Sequence, residues 1–143
     1  MIKHVWSILC EKSILDQETN NVSITNAIEQ LNLSLKGKPD KLSLKKGIYI
    51  PFNLEIVTFL CTEDVANVIE GEYKIEIKAP DGKLLQEYET HVQSNNKRLR
   101  VRNRNIGLKV IESGVYKFNI FLKEKGEEQY RKVAELPVEV MLG

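Results

Sequence analysis

The sequence predicts an all-β domain, an antiparallel sandwich of about 7–9 strands. Three observations carry this reading. The run Glu112–Phe118 places a glycine turn before an alternating segment, with Tyr116, Phe118, Ile120 and Leu122 on one parity and Lys117, Asn119 and Lys123 on the other. A side-chain period of two means a sheet with one buried face. Similar blocks recur along the chain between polar turns, and none has helical spacing. A length of 143 residues suits a single domain, 1–143, large enough for a real core.

Eight strands are expected. The first spans about 3–14, with Ile2, Trp6, Ile8, Cys10 and Ile14 on one parity. The cluster 16–21 follows, and its Asn20-Asn21 pair tolerates the left-handed backbone of a tight turn. The second strand spans about 22–35. Its apolar parity shifts from Val22, Ile24 and Ile28 to Leu31, Leu33 and Leu35, which predicts a bulge. Residues 36–47 read as a lysine-rich loop. The third strand, about 48–61, starts on Ile50, Phe52, Leu54 and Ile56. Residues 62–70 connect it onward, with a short helical turn over Glu63–Val68.

The fourth strand, 72–79, buries Tyr73, Ile75 and Ile77, and Pro80-Asp81-Gly82-Lys83 ends it in a turn. The fifth spans about 84–92, the sixth 98–111 and the seventh 115–124. The eighth, about 129–142, buries Tyr130, Ala134, Leu136, Val138 and Val140. Pro137 falls on its other parity and marks an edge or a break in the ladder, because proline lacks the donor.

Glu112-x-Gly114-x-Tyr116-x-Phe118 resembles the immunoglobulin pattern acid-x-Gly-x-Tyr-x-Cys at the start of strand F. That resemblance implies an immunoglobulin-like sandwich in which Gly114 and Tyr116 form a structural corner. The tyrosine hydroxyl would bond back to the chain, and Phe118 would sit in the core. The layout also looks like a small bacterial or phage single-domain family of unknown function with an immunoglobulin-like β-sandwich. Leu9-Cys10-Glu11, Val22-Ser23-Ile24, the Gly-x-Tyr strand and Leu136-Pro137-Val138 carry that likeness. It implies a cytoplasmic protein and no activity.

Four of the five arginines fall in Arg98-Leu99-Arg100-Val101-Arg102-Asn103-Arg104. On a strand all four project from one face, roughly 6.6–7 Å apart. One reading is a polyanion track, since this is near the phosphate spacing of an extended single strand. Lysines of the 36–46 segment would extend it. The favoured reading is pairing across a hairpin turning at Asn95-Asn96. Gln93 then faces Arg98, His91 faces Arg100, Glu89 faces Arg102 and Glu87 faces Arg104. Val92 meets Leu99 and Thr90 meets Val101 on the other side. The track also lacks interleaved exposed aromatics, which single-strand binders use for stacking.

Val57, Phe59, Phe121 and Val133 are apolar on the outward parity of the third, seventh and eighth strands. If those strands share a sheet, the four residues form a patch for an unknown protein partner or a homodimer. The alternative is a bulge that turns Phe59 inward, or cover by a loop. Protein binding or self-association through this face is the leading functional expectation, with nucleic-acid or polyanion binding by Arg98, Arg100, Arg102 and Arg104 the alternative. A third expectation is a small ligand held at the loop ends under segment 36–47.

A net charge of +1 excludes binding to nucleic acid or membrane by bulk charge alone. No apolar run is long enough to span a membrane, and polar residues interrupt the N-terminal segment, so a cytoplasmic location is expected. Cys10 and Cys61 read as free thiols. Two cysteines and the distant His4 and His91 do not make a zinc spacing. Thr62-Glu63-Asp64 and Asp81-Gly82 are too sparse for a calcium loop. No catalytic constellation, phosphate loop, metal site or cofactor is expected, and the chain reads as a non-enzymatic binding module.

Overall fold

The alternation is plainest in β6 (Ile69–Lys78), where every second side chain is buried, and in β10 (Gly114–Glu124). The computed structural model describes residues 1–34, 41–50, 53–63 and 68–143, side chains at 41–43 and 105 excepted. The other elements are β1 (Ile2–Leu15), β2 (Val22–Ala27), β3 (Gln30–Leu33), α1 (Lys41–Lys46) and β4 (Ile48–Tyr49). They continue with β5 (Leu54–Thr62), β7 (Leu84–Ser94), β8 (Arg98–Ile106), β9 (Lys109–Val110) and β11 (Arg131–Leu142). Among the described residues the protein is all-β apart from the short helix α1.

Two large sheets form. One has four strands in the order β2-β1-β5-β8, the other five in the order β3-β11-β10-β6-β7. A two-stranded ladder joins β4 to β9. The inner faces of both large sheets share one core. Leu54, Ile56 and Leu60 enter it from β5, and Tyr73, Ile75, Tyr116 and Phe118 from the other sheet. One polar bond crosses this core: the hydroxyls of Thr58 on β5 and Tyr73 on β6 lie 2.7 Å apart. Both are fully buried, and their mutual bond removes the cost of burying each alone.

Several expected strands are divided. The second breaks where the parity shifts, but the shift is a change of sheet rather than a bulge. Asn26 takes a left-handed conformation (φ 55°), Ile28 N–H donates to Leu9 O, and β3 then pairs in parallel with β11. The sixth breaks at Gly107 into β8 and β9, and the third into β4 and β5. The segment read as a loop holds α1, while residues 35–40 lie outside the described residues, as do Phe52 and most of the expected 63–68 helical turn.

The expected β7–β8 hairpin does not form. Its turn carries the chain from one sheet to the other. β7 pairs instead with β6, placing Glu72 opposite His91, Lys74 opposite Glu89 and Glu76 opposite Glu87. β8 pairs with β5. β7 gains a longer ladder this way, and the inner residues Tyr88, Val92, Leu99 and Val101 all pack against the shared core.

Bulges correct two further expectations. A register shift between His4 and Trp6 puts Ile2 opposite Thr62 and His4 opposite Leu60 but Trp6 opposite Phe59, so Ile2 and Trp6, expected on one parity, point to opposite faces. A shift between Ile120 and Phe121 leaves Val133 as the extra residue of β11. Tyr130 therefore comes to the outer face, under Lys74 and Lys123, rather than into the core. Pro137 sits before β3 begins to pair, where β11 has only β10 beside it.

Tyr116 closes the turn that precedes β10. Its buried hydroxyl donates to Glu112 O (2.6 Å) and accepts from Ile111 N–H (3.0 Å) and Glu112 N–H (3.1 Å). Burial first, offset by these bonds, holds its pKa above the ordinary tyrosine value. Gly114 makes the approach feasible: φ is +143°, and a Cβ there would lie 2.7 Å from Pro80 Cγ. Tyr116→Phe strands three backbone groups at once, so urea denaturation should show a loss of about 1–3 kcal/mol. A loss within error of zero would mean the corner is not structural.

Candidate nucleic-acid interface

The outer face of the four-stranded sheet is built in rows, because residues paired across strands share a face. Reading from β1 through β5 to β8, the rows are Lys3·Cys61·Arg98, Trp6·Phe59·Arg100 and Ile8·Val57·Arg102. The arginines thus line the free edge of the sheet beside an apolar strip. These rows hold four cations, Lys3, Arg98, Arg100 and Arg102, and no carboxylate; Glu55 stands in the next row, opposite Cys10.

Trp6 and Phe59 are both half-buried and stack with ring centroids 5.7 Å apart at 26°. The turn after β1 curls toward them. Asp16 fixes that turn by accepting from Glu18 N–H and Thr19 N–H, bonds that hold its carboxyl below the usual range. Asn20 then reaches the sheet edge, where its Oδ1 accepts from Arg100 Nη2 at 2.7 Å. Trp6, Phe59, Asn20, Arg98 and Arg100 line a hollow of about 430 Å³. Arg100 Nε is buried and has no hydrogen-bond partner. Arg98 is exposed.

Arg102 has a different role. Its Nε donates to Ser13 Oγ (2.9 Å) and its Nη2 to Ser13 O (2.8 Å). Ser13 in turn donates from both N and Oγ to Glu55. This fork ties β8 to β1 across the intervening strand. Arg104 is exposed and shares a second hollow with Ser13 and Arg102. None of the four meets Glu87, Glu89 or His91 as the sequence suggested. His91 Nδ1 bonds Glu72 at 2.9 Å instead.

The expected apolar patch is not one surface. Val57 and Phe59 belong to the four-stranded sheet, Phe121 and Val133 to the five-stranded one. Val57 is fully buried. Phe121 lies under Lys74 Nζ, 4.9 Å from its centroid, and Val133 packs against the core through its bulge. Tyr130 shares the same lysine at 4.4 Å and donates to Glu89 at 3.2 Å. Burial, with Glu89 beside it, pushes Tyr130 up to about 12.

Of the lysines expected to extend the stripe, 36 and 38 lie outside the described residues, and nothing is described of the side chain at 41. Lys45 and Lys46 sit on α1, which leads into β4 beside β9, at the end of β8 away from Arg98.

A second polar cluster escaped sequence reasoning. His4 Nε2 lies 2.8 Å from Ser7 Oγ, which lies 2.8 Å from Thr58 Oγ1, itself bonded to Tyr73. A serine beside an imidazole has the geometry of an activated nucleophile. Here the serine also bonds the threonine, and the thread ends in the core, where burial holds Tyr73 far above its ordinary pKa. The thread satisfies buried hydroxyls. Cys10 and Cys61 are free thiols. Among the described residues no group of three or more His, Cys, Asp or Glu could hold a metal ion, and no helix is long and apolar enough to cross a membrane. Asp64 lies outside the described residues.

The chain matches no known family model and no curated protein.

Burial lowers the His4 pKa below 6.5. The unfolded chain therefore takes up a proton near pH 6.5 before the folded one does, and stability falls as pH drops from there toward the lowered value. The loss in urea midpoint between pH 7.5 and pH 5.5 should be smaller in His4→Gln than in the parent. Equal losses would remove His4 from the account.

Proposed function

We propose that this chain is a non-enzymatic binding module that takes single-stranded nucleic acid on the outer face of the four-stranded sheet. The observation that carries the proposal is the row Trp6·Phe59·Arg100, with Arg98 one row away. The aromatic pair supplies the stacking surface that the arginine stripe lacks in the linear sequence. Stacking contributes roughly 1–3 kcal/mol per base and tolerates any base. The guanidinium groups of the exposed Arg98 and the half-buried Arg100 supply phosphate contacts.

The scaffold proposed for this site is an immunoglobulin-like sandwich. With β1, β5 and β8 taken as strands A, B and E, the other sheet reads C′-C-F-G through β7, β6, β10 and β11. The hydroxyl bonds of Tyr116 at the start of the F-like strand support this, as does the full burial of Phe118 in the place of the family's cysteine. The free thiols support a reducing compartment such as the cytoplasm, and the bacterial or phage likeness belongs to the same proposal.

Trp6 is the only tryptophan, so intrinsic fluorescence reports on the site directly. Titration with an oligothymidylate or oligouridylate should change Trp6 emission and weaken steeply with salt. Arg98→Gln/Arg100→Gln should reduce the log–log salt slope by about 1.4, or about 0.7 per phosphate contact. Trp6→Ala, followed by anisotropy of a labelled oligonucleotide, should cost roughly 1–3 kcal/mol. No change in emission at low salt would overturn the proposal.

A further inference from the structure

β7 and β8 are the outermost strands of their respective sheets, and they lie on the same flank of the molecule. Among the described residues neither carries a further strand on its free side. Between them runs a trough of about 630 Å³ lined by residues 87–93 and 99–103. The trough is tied at both ends. At one, the turn 95–97 joins the strands, and Thr62 N–H donates to Lys97 O. At the other, Gln86 donates from Nε2 to Gly107 O (2.8 Å) and accepts at Oε1 from Lys109 N–H (3.0 Å).

The two edges differ in charge. β7 turns Glu87, Glu89 and His91 outward and Tyr88, Thr90 and Val92 inward. β8 turns Arg98, Arg100 and Arg102 outward and Leu99 and Val101 inward. An unpaired edge is a template for another strand, and charge decides which strand it accepts.

We propose that a second copy of the chain docks on this flank, with β7 of each copy adding antiparallel to β8 of the other. A two-fold axis parallel to the strands produces this arrangement. It exchanges the layers, so each five-stranded sheet continues into the partner's four-stranded sheet. Both open edges are closed at once, which is the self-complementarity of an isologous interface. A two-fold axis normal to the sheets would instead set β7 against β7 and β8 against β8. Glutamates would then face glutamates and arginines face arginines, and like charges directly opposite are destabilising.

In the favoured arrangement Glu89 faces Arg102 of the second copy and His91 faces its Arg100. Val92 meets Leu99 and Thr90 meets Val101 on the inner side. The Ser13 fork occupies two of the donor sites of Arg102 and leaves others for a carboxylate. The pairing that does not form within one chain forms between two.

Sedimentation velocity of the full chain over a concentration series, without nucleic acid, tests this. A reversible monomer–dimer equilibrium is expected. Glu87→Arg/Glu89→Arg should sediment as a monomer, as should Arg102→Glu/Arg104→Glu. An equimolar mixture should restore the dimer, because each acidic edge then meets a basic one. A parent chain that stays monomeric, or a dimer that survives Glu87→Arg/Glu89→Arg, would overturn the proposal. Both glutamates are exposed, so that variant decides the matter if the β8 variant does not fold.

Discussion

The partition of β7 and β8 between two sheets is the constraint on which the rest of this structure depends. Once β7 takes β6 as its neighbour and β8 takes β5, the turn 95–97 has to span the layers. The inner residues of both strands then cover one flank of the core without closing it. The arginines, which would have been neutralised by glutamates in a single hairpin, are left on an edge beside β5. The aromatic–arginine rows and the open trough both follow from this one choice of partners.

The energetic reason lies in what each strand buries. β6 is alternately buried along its whole length, and its outer charges already suit β7, with Lys74 opposite Glu89 and Glu72 bonded to His91. In the other sheet β5 has no exposed residue, so it needs cover on both faces. Trp6 and Ile8 from one side and the arginine stems from the other provide it on the outside. The Arg102–Ser13–Glu55 bonds then hold the sheet edge in place, and they explain why only part of the stripe is available for binding.

Much of this was legible in the residues and some was not. The strands and buried faces of β6 and β10 follow from period two alone, and Tyr116 and Gly114 announced their turn. The choice of neighbour did not, because Val92 opposite Leu99 satisfies alternation as well as Val92 opposite Gly71 does. A parity shift reads the same whether it is a bulge or a crossing, and only the left-handed Asn26 separates the two cases. Trp6 was put on one face with Ile2 because the bulge between them leaves no mark in the sequence. The available signal was Ile8-Leu9-Cys10, apolar on both parities and so covered on both faces. The row Trp6·Phe59·Arg100 joins three distant segments and has no local signature at all.

The two proposed surfaces meet at Arg100, which the intermolecular register sets against His91, but the carboxylates of that register fall at the other end of the stripe. Arg98 and Arg100 stand in the rows of Cys61 and Phe59, next to the stacking pair and the Asn20 turn. Arg102 and Arg104 stand at the other end, where the intermolecular register brings the carboxylates of Glu89 and Glu87. Pairing along the trough would therefore neutralise the half of the stripe already engaged in structure and leave the half beside the aromatics. The same two-fold axis would put the two nucleic-acid faces in opposite layers, each continuing from the acidic outer face of the partner's β7. A polyanion would then meet a basic strip bounded on one side by glutamates, and that boundary would keep the bound strand on the rows of β1, β5 and β8.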